Sequence, residues 1–137
     1  MQNDLKTKSQ YFDFNSFLKS ENGIDIYSYT GWNGLNVTKF AIPKDKILSS
    51  SFIDTCYPKL AEKEKIFVVN KGHVKFESSN QKVSLQDYDA FNLASNEKSY
   101  KLNSIDSATI FMISAIGLSN FNEKTIFFNF KKDIEAK

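Results

Sequence analysis

What most constrains this chain is the regularity with which short runs of β-branched and aromatic residues alternate with turn-forming clusters. Candidate strands fall at residues 24–29, 35–42, 47–53, 65–70, 73–77, 82–85, 90–93, 98–102, 108–115 and 125–131. Such side chains fit a pleated, half-buried surface, and every run has an ordinary strand length. The breaks carry turn chemistry: Glu21-Asn22-Gly23, Asn33-Gly34, Asn70-Lys71-Gly72, Ser78-Ser79-Asn80-Gln81 and Ser95-Asn96-Glu97. Gly and Asn tolerate positive φ, and Asn and Ser side chains bond nearby backbone, so these clusters reverse the chain. Outside residues 15–18, no window places apolar residues at i, i+3, i+4 and i+7 between capping residues. About ten short strands with so little helix signal make an all-β sandwich or barrel.

The faces of these strands differ. In His73-Val74-Lys75-Phe76-Glu77 and Val83-Ser84-Leu85 apolar and polar residues alternate, so one face is buried and the other wet. Ile66-Phe67-Val68-Val69 and Ile110-Phe111-Met112-Ile113 are apolar on both faces and belong in the middle of the fold, packed on each side. A chain of 137 residues reads as a single domain, residues 1–137, with its core at 24–117. It is long enough to fold without disulfide or metal. Both ends are unusually aromatic: Tyr11, Phe12, Phe14 and Phe17 at one, Phe127, Phe128 and Phe130 at the other. These ends pack either on the barrel of the same chain or on a second subunit in a two-fold homodimer.

Composition removes much chemistry. All 18 basic residues are Lys, against 16 acidic residues, for a net charge of +2. Without the arginine fork or a strongly basic surface, nucleic acid is not an expected partner. One Cys and one His exclude an internal disulfide, a Cys/His zinc cluster and a two-histidine metal site. The first twenty residues hold no apolar run long enough for a signal-peptide core, and no stretch approaches the roughly 18 apolar residues of a membrane span. The chain reads as cytoplasmic, with no membrane partner.

The run Lys65-Ile66-Phe67-Val68-Val69-Asn70-Lys71-Gly72, followed by His73-Val74-Lys75-Phe76, resembles the central hairpin of the cupin superfamily, the RmlC-like jelly rolls. The family's motifs are G-x5-HxH-x3,4-E-x6-G and G-x5-P-x-G-x2-H-x3-N. The second maps without a gap when Tyr88 takes its first glycine; proline then falls at Ala94, the second glycine at Asn96, histidine at Ser99 and asparagine at Asn103. Counting back from Gly72 in the first puts the glutamate at Lys65 and the histidine pair within residues 58–61, where there is none. The resemblance spans residues 47–117 and implies a single-domain cupin-type β-barrel. It also implies what is missing. An ammonium where a carboxylate ligand belongs repels a divalent cation, so no metal and no cofactor are expected. Glu64 lies one residue from that position and Glu62 three, so a register shift of one restores a carboxylate, though a lone carboxylate makes a poor site. A weaker likeness, carried by Tyr88-Asp89-Ala90-Phe91, Tyr100-Lys101-Leu102-Asn103 and Ile113-Ser114-Ala115, links the chain to the later half of bicupin isomerases acting on deoxyglucuronate-type sugar acids.

Four residues form the expected ligand site at the barrel mouth. Lys65, if it points inward, holds a carboxylate or phosphate or pairs with Glu62 or Glu64; if the strand starts later it is a solvated edge lysine. Ser99 and Lys101 share one face of their strand, and Tyr57 lies in the loop that carries ligands in metal-dependent relatives. Together they make a mildly cationic, hydroxyl-rich lining for a small polar or anionic metabolite. His73 reads as a surface residue at the wrong end of the hairpin for the His–Asp and Tyr set of metal-free cupin epimerases. Cys56 reads as a small buried hydrophobe, and Trp32 as an aromatic plug at a barrel end or a platform for a sugar ring. Three readings of function follow: metal-free binding of a small polar or anionic, sugar acid-like molecule; a metal-independent isomerase or epimerase using Lys65, Tyr57 or His73; and a non-catalytic module that binds a protein through its aromatic ends.

Overall fold

The computed structural model describes residues 19–30 and 34–135. In chain order these form β1 (Lys19–Glu21), β2 (Ile24–Thr30), β3 (Leu35–Ile42), β4 (Ile47–Ser49), α1 (Ser50–Cys56), a 3₁₀ turn (Pro58–Leu60), β5 (Lys63–Lys71), β6 (Val74–Ser78), β7 (Lys82–Leu85), β8 (Asp89–Asn92), β9 (Tyr100–Ser104), β10 (Ala108–Ser119), β11 (Ile126–Asn129) and α2 (Phe130–Glu135). The strands build two antiparallel sheets, one ordered β1-β2-β3-β10-β5-β8-β11 and the other β4-β9-β6-β7. The chain is an all-β jelly roll, as its strand rhythm predicts. The Asn22-Gly23 turn closes the first hairpin with both residues at positive φ (59° and 78°), which a two-residue hairpin turn requires.

β10 and β5 are neighbours in the large sheet, with Ile110 opposite Val69 and Met112 opposite Phe67. These four side chains face inward and are buried, while Ile66, Val68, Phe111 and Ile113 face outward and are half-buried. The doubly apolar runs are therefore central, but the small sheet covers only one face of the large one. Between the sheets lie five rings from five strands. Phe67 stacks on Phe91 with centroids 4.9 Å apart, and Phe76 touches Phe91 (4.9 Å), Tyr100 (6.0 Å) and Phe127 (5.5 Å). Burying each such ring stabilises the fold by about 1.5–3 kcal/mol, and ring–ring geometry adds to this. Phe127 thus brings one aromatic end onto the chain's own barrel. The other, residues 11–17, lies outside the described residues, as does Trp32.

Away from the rings the interior turns polar. Thr38 donates to Asn36 Oδ1 (2.7 Å), Asn36 Nδ2 donates to Ser28 Oγ (3.2 Å), and Ser114 Oγ donates to the Glu64 carbonyl (2.7 Å). Buried polar groups are tolerated because they satisfy one another.

Two expected strands change character partway. Residues 47–53 are strand only to Ser49, whose side chain accepts from Phe52 N–H (3.1 Å) and caps α1. A serine N-cap satisfies an otherwise orphaned donor, and the helix then turns Ile53 into the core with Phe52 and Cys56 beside it. Likewise 125–131 is strand only to Asn129, whose Oδ1 accepts from Lys132 N–H (2.7 Å) at the start of α2. No described helix is long and apolar enough to cross a membrane.

Candidate functional site

A cavity of about 360 Å³ opens at the rim of the barrel. Its walls come from α1 (Asp54), the start of β5 (Glu62, Lys63, Lys65), the β8–β9 loop (Leu93 to Lys98), Tyr100 of β9, and Asn120 after β10. Three carboxylates and three ammonium groups share it with amide and hydroxyl groups. Beneath it Tyr100 packs against Phe67 and Phe76.

Lys65 faces inward and is 2% exposed. Its ammonium donates to the backbone carbonyls of Leu60, Ala61 (3.4 Å) and Lys63 (3.2 Å). An ammonium has three protons, and all three are directed at the turn that follows α1. The residue ties the 3₁₀ turn to the first strand of the rim. Burial lowers its pKa below the usual lysine value, with Asp54 and Glu62 opposing the shift. It forms no ion pair with either glutamate expected from the sequence. Glu62 pairs with Lys98 (3.2 Å), and Glu64 points outward, taking bonds from Asn92 (3.0 Å) and Asn122 (3.3 Å).

The other three expected site residues stand apart from Lys65. Lys101 lies on the outer face of the small sheet and pairs with Glu77 (3.7 Å), and Ser99, just before β9, is exposed. The strand's alternation sends Tyr100 and Leu102 inward instead. Tyr57 closes α1, donating its N–H to Ile53 O (2.8 Å), and lines a separate cavity of about 350 Å³ with Cys56, Asn36, Leu60 and Ile116. The helix between β4 and β5 carries Tyr57 to that second cavity, and strand alternation turns Lys101 outward.

Residues that the sequence did not single out complete the pocket. Glu97 is buried, accepting from the Thr125 hydroxyl and from Gln81 Nε2 (3.4 Å), and Thr125 also takes the Ala94 N–H (2.9 Å). The carboxylate thereby ties the β8–β9 loop to the segment before β11. Tyr100 is buried with its ring against Phe67 and Phe76. Burial pushes its phenol pKa well above the ordinary range, and nearby Asp54 pushes it further. Asp54 carries no signal of its own in the sequence, since residues 47–53 have the pattern of a strand and the helix that places Asp54 on the cavity wall is set by the Ser49 cap. Tyr100 was legible as the apolar-side neighbour of Ser99 and Lys101.

His73 is half-buried beside the Gly72 turn, with Nε2 2.6 Å from Ser84 Oγ, and does not line the rim pocket. Cys56 is a free, half-buried thiol whose pKa is pushed up by burial, with Lys19 opposing.

The cupin resemblance raises a metal, and the residues present do not fit one. Ser99 is on the outside, and the donors facing inward at this end are Asn36, Thr38, Ser114 and the Lys65 ammonium. Among the described residues no three His, Cys, Asp or Glu side chains are grouped so that they could hold a metal ion, the three carboxylates of the rim cavity included, whereas a divalent transition metal selects imidazole, thiolate or carboxylate. One trace of the motif survives in the backbone. Tyr88, at the position of the motif's first glycine, has φ 70°, the left-handed conformation that favours glycine.

No family model matches the sequence, and no curated protein matches it. Solved structures do. An RmlC-like cupin from Shewanella frigidimarina superposes with a TM-score of 0.57 at 8% identity, covering 74% of this chain and 84% of that one. KdgF from a Halomonas species gives 0.56 at 16% identity, over 73% and 87%. A Cupin 2 conserved barrel domain protein from Salinispora arenicola gives 0.54 at 9% identity, over 72% and 80%. At these identities the likeness establishes the fold, a cupin jelly roll.

Proposed function

We propose that this cupin-fold protein binds a small polar, sugar acid-like metabolite without a metal, in the rim pocket and not in the depth of the barrel. The observation that carries the reading is the placement of the cavity. About 360 Å³ is room for a molecule of roughly monosaccharide size, and its charged and amide lining stands beside a cluster of packed aromatic rings, while the buried polar side chains Asn36, Thr38 and Ser114 are engaged in hydrogen bonds of the fold. In this reading Lys65 holds the rim, and Ser99, Lys101 and Tyr57 have no part in binding. Of the residues named for the isomerase or epimerase alternative, Lys65 lines this pocket while Tyr57 and His73 do not. A thermal-shift screen with uronates and hexoses tests the proposal. Binding raises the melting temperature in proportion to ligand occupancy, and Glu97→Ala, which frees the β8–β9 loop, diminishes the shift. A screen in which no compound raises the melting temperature refutes it, and a stoichiometric transition metal in the purified protein refutes its metal-free part.

A specific observation favours self-association as well. Within 116–126 the chain exposes Ile116, Leu118, Phe121 (86% exposed) and Ile126. We propose that this stretch is the interface of a homodimer. Light scattering at micromolar concentration gives twice the chain mass if so; a monomer at every concentration overturns it.

A further inference from the structure

The walls of the rim pocket differ in how far the fold has already used their polar groups. Lys65 directs its protons at three carbonyls, Glu62 is paired with Lys98, and Glu97 holds Thr125 and Gln81. Tyr100 is different. Its N–H donates to Ser50 Oγ (3.2 Å) and its ring is held between Phe67 and Phe76, but among the described residues its hydroxyl has no hydrogen-bond partner, although the residue is only 6% exposed. Asp54, on the same cavity wall and close enough to act on the phenol, accepts no hydrogen bond and forms no ion pair among the described residues. Buried hydroxyls are ordinarily satisfied, and one left open at a cavity wall calls for a partner from outside the fold.

We infer that Tyr100 and Asp54 together read adjacent hydroxyl groups, so that the ligand enters with a polyol face inward and turns any carboxylate outward toward Lys63. The inference rests on the rim pocket being the binding site. An ionised carboxylate only accepts, while a phenol both donates and accepts. A group that satisfies both must therefore donate to Asp54 and be able to accept from Tyr100. A hydroxyl does each, and two neighbouring hydroxyls serve the pair together. A ligand carboxylate in this corner meets Asp54 as a like charge with no proton to share. It also finds no free proton on Lys65. A simple ammonium satisfies Asp54 but offers the phenol no acceptor. Selection thus falls on the hydroxyl pattern, and a carboxylate is tolerated only at the outer rim.

Calorimetric titration of the full chain with glucose, galactose, myo-inositol, glucuronate, succinate and putrescine tests this. Binding is expected for at least one polyol and for glucuronate within a few-fold of glucose, and not for succinate or putrescine. Tyr100→Phe weakens polyol binding about tenfold, the ordinary worth of one buried hydrogen bond, and Asp54→Asn weakens it at least as much. Tyr100→Phe keeps the ring and removes a hydroxyl without a partner, so it folds; its unfolding midpoint is measured alongside. Succinate or putrescine binding as tightly as glucuronate, or unchanged polyol affinity in both variants, overturns the hydroxyl-reading pair and leaves the pocket standing. Failure of every probe overturns the pocket together with the pair.

Discussion

Replacing Lys65 with Met separates a lysine that pins the rim from one that is merely stranded there. Methionine keeps the unbranched apolar stem and nearly the same volume, so packing changes little. What disappears is the ammonium and its three bonds. The carbonyls of Ala61 and Lys63 are bonded at 3.4 Å and 3.2 Å, and both residues have access to solvent, so water takes over there. Leu60 is 3% exposed, and its carbonyl is left without a partner, which costs about 1–3 kcal/mol. Part of that is returned, because the fold no longer holds a charge against desolvation. The net destabilisation is about 1–2 kcal/mol, or roughly 3–8 °C in melting temperature for a domain of this size. The pH dependence follows. The folded pKa of Lys65 lies below its ordinary 10.5, so the unfolded chain holds the proton more tightly and the wild type gains stability from this group as pH rises toward 10.5. The deficit of Lys65→Met relative to wild type therefore widens over that window. Lys65→Arg also loses stability, since a planar fork cannot converge on three carbonyls. Urea unfolding followed by circular dichroism reads all of this. A methionine variant as stable as the wild type, or more so, refutes the pin and means that Lys65 burdens the fold.

Gly72→Ala is expected to cost about 2–4 kcal/mol, because φ is 108° and a Cβ there overlaps the Ser107 carbonyl oxygen and comes within 2.7 Å of Ala108 Cα; a change under 0.5 kcal/mol in urea unfolding contradicts it. Tyr88→Gly should stabilise by about 0.5–1 kcal/mol, since a left-handed residue that is 41% exposed loses strain and little packing; a lowered melting temperature counts against this. Tyr100 ionises later than an ordinary tyrosine, and with its folded pKa above the unfolded value of 10.0 it stabilises the fold below that pH and ceases to do so as pH climbs. Tyr100→Phe should therefore hold its stability above pH 10 better than the wild type, as alkaline melting curves would show. Phe121→Ser leaves stability within about 0.5 kcal/mol, as an exposed position should, and abolishes the dimer in light scattering if the 116–126 stretch is its interface.

The fold was legible because strand period and turn chemistry are local. Residues 35–42 and 82–85 are strands with the boundaries the sequence implies, and Asn22-Gly23 turns the chain where it should. Where a single side chain decides, the period misleads. Ser49 and Asn129 each end a strand by capping a helix, and an apolar run cannot announce that. The interior of β5 and β10 was legible too, yet their outer faces are only half-buried, because how many layers a sheet carries is settled far along the chain. The site was the least legible part. Lys65 was found through its family position, but its engagement with Leu60, Ala61 and Lys63 depends on a 3₁₀ turn that carries no strand or helix period. Ser99 lies just before β9 begins and is exposed, Lys101 points outward, and Tyr100 between them reaches the pocket.

The central claim, that a polar ligand meets the rim and not the barrel interior, is tested most directly by amide chemical-shift mapping of the labelled protein during titration with glucuronate. The predicted result is saturable shifts at Asp54, Lys65, Asn96, Glu97, Tyr100 and Asn120, with Asn36, Thr38 and Ser114 unmoved. Shifts centred on Asn36, Thr38 and Ser114 would place the ligand within the barrel and contradict the account, and a spectrum unchanged at saturating glucuronate would contradict it as well.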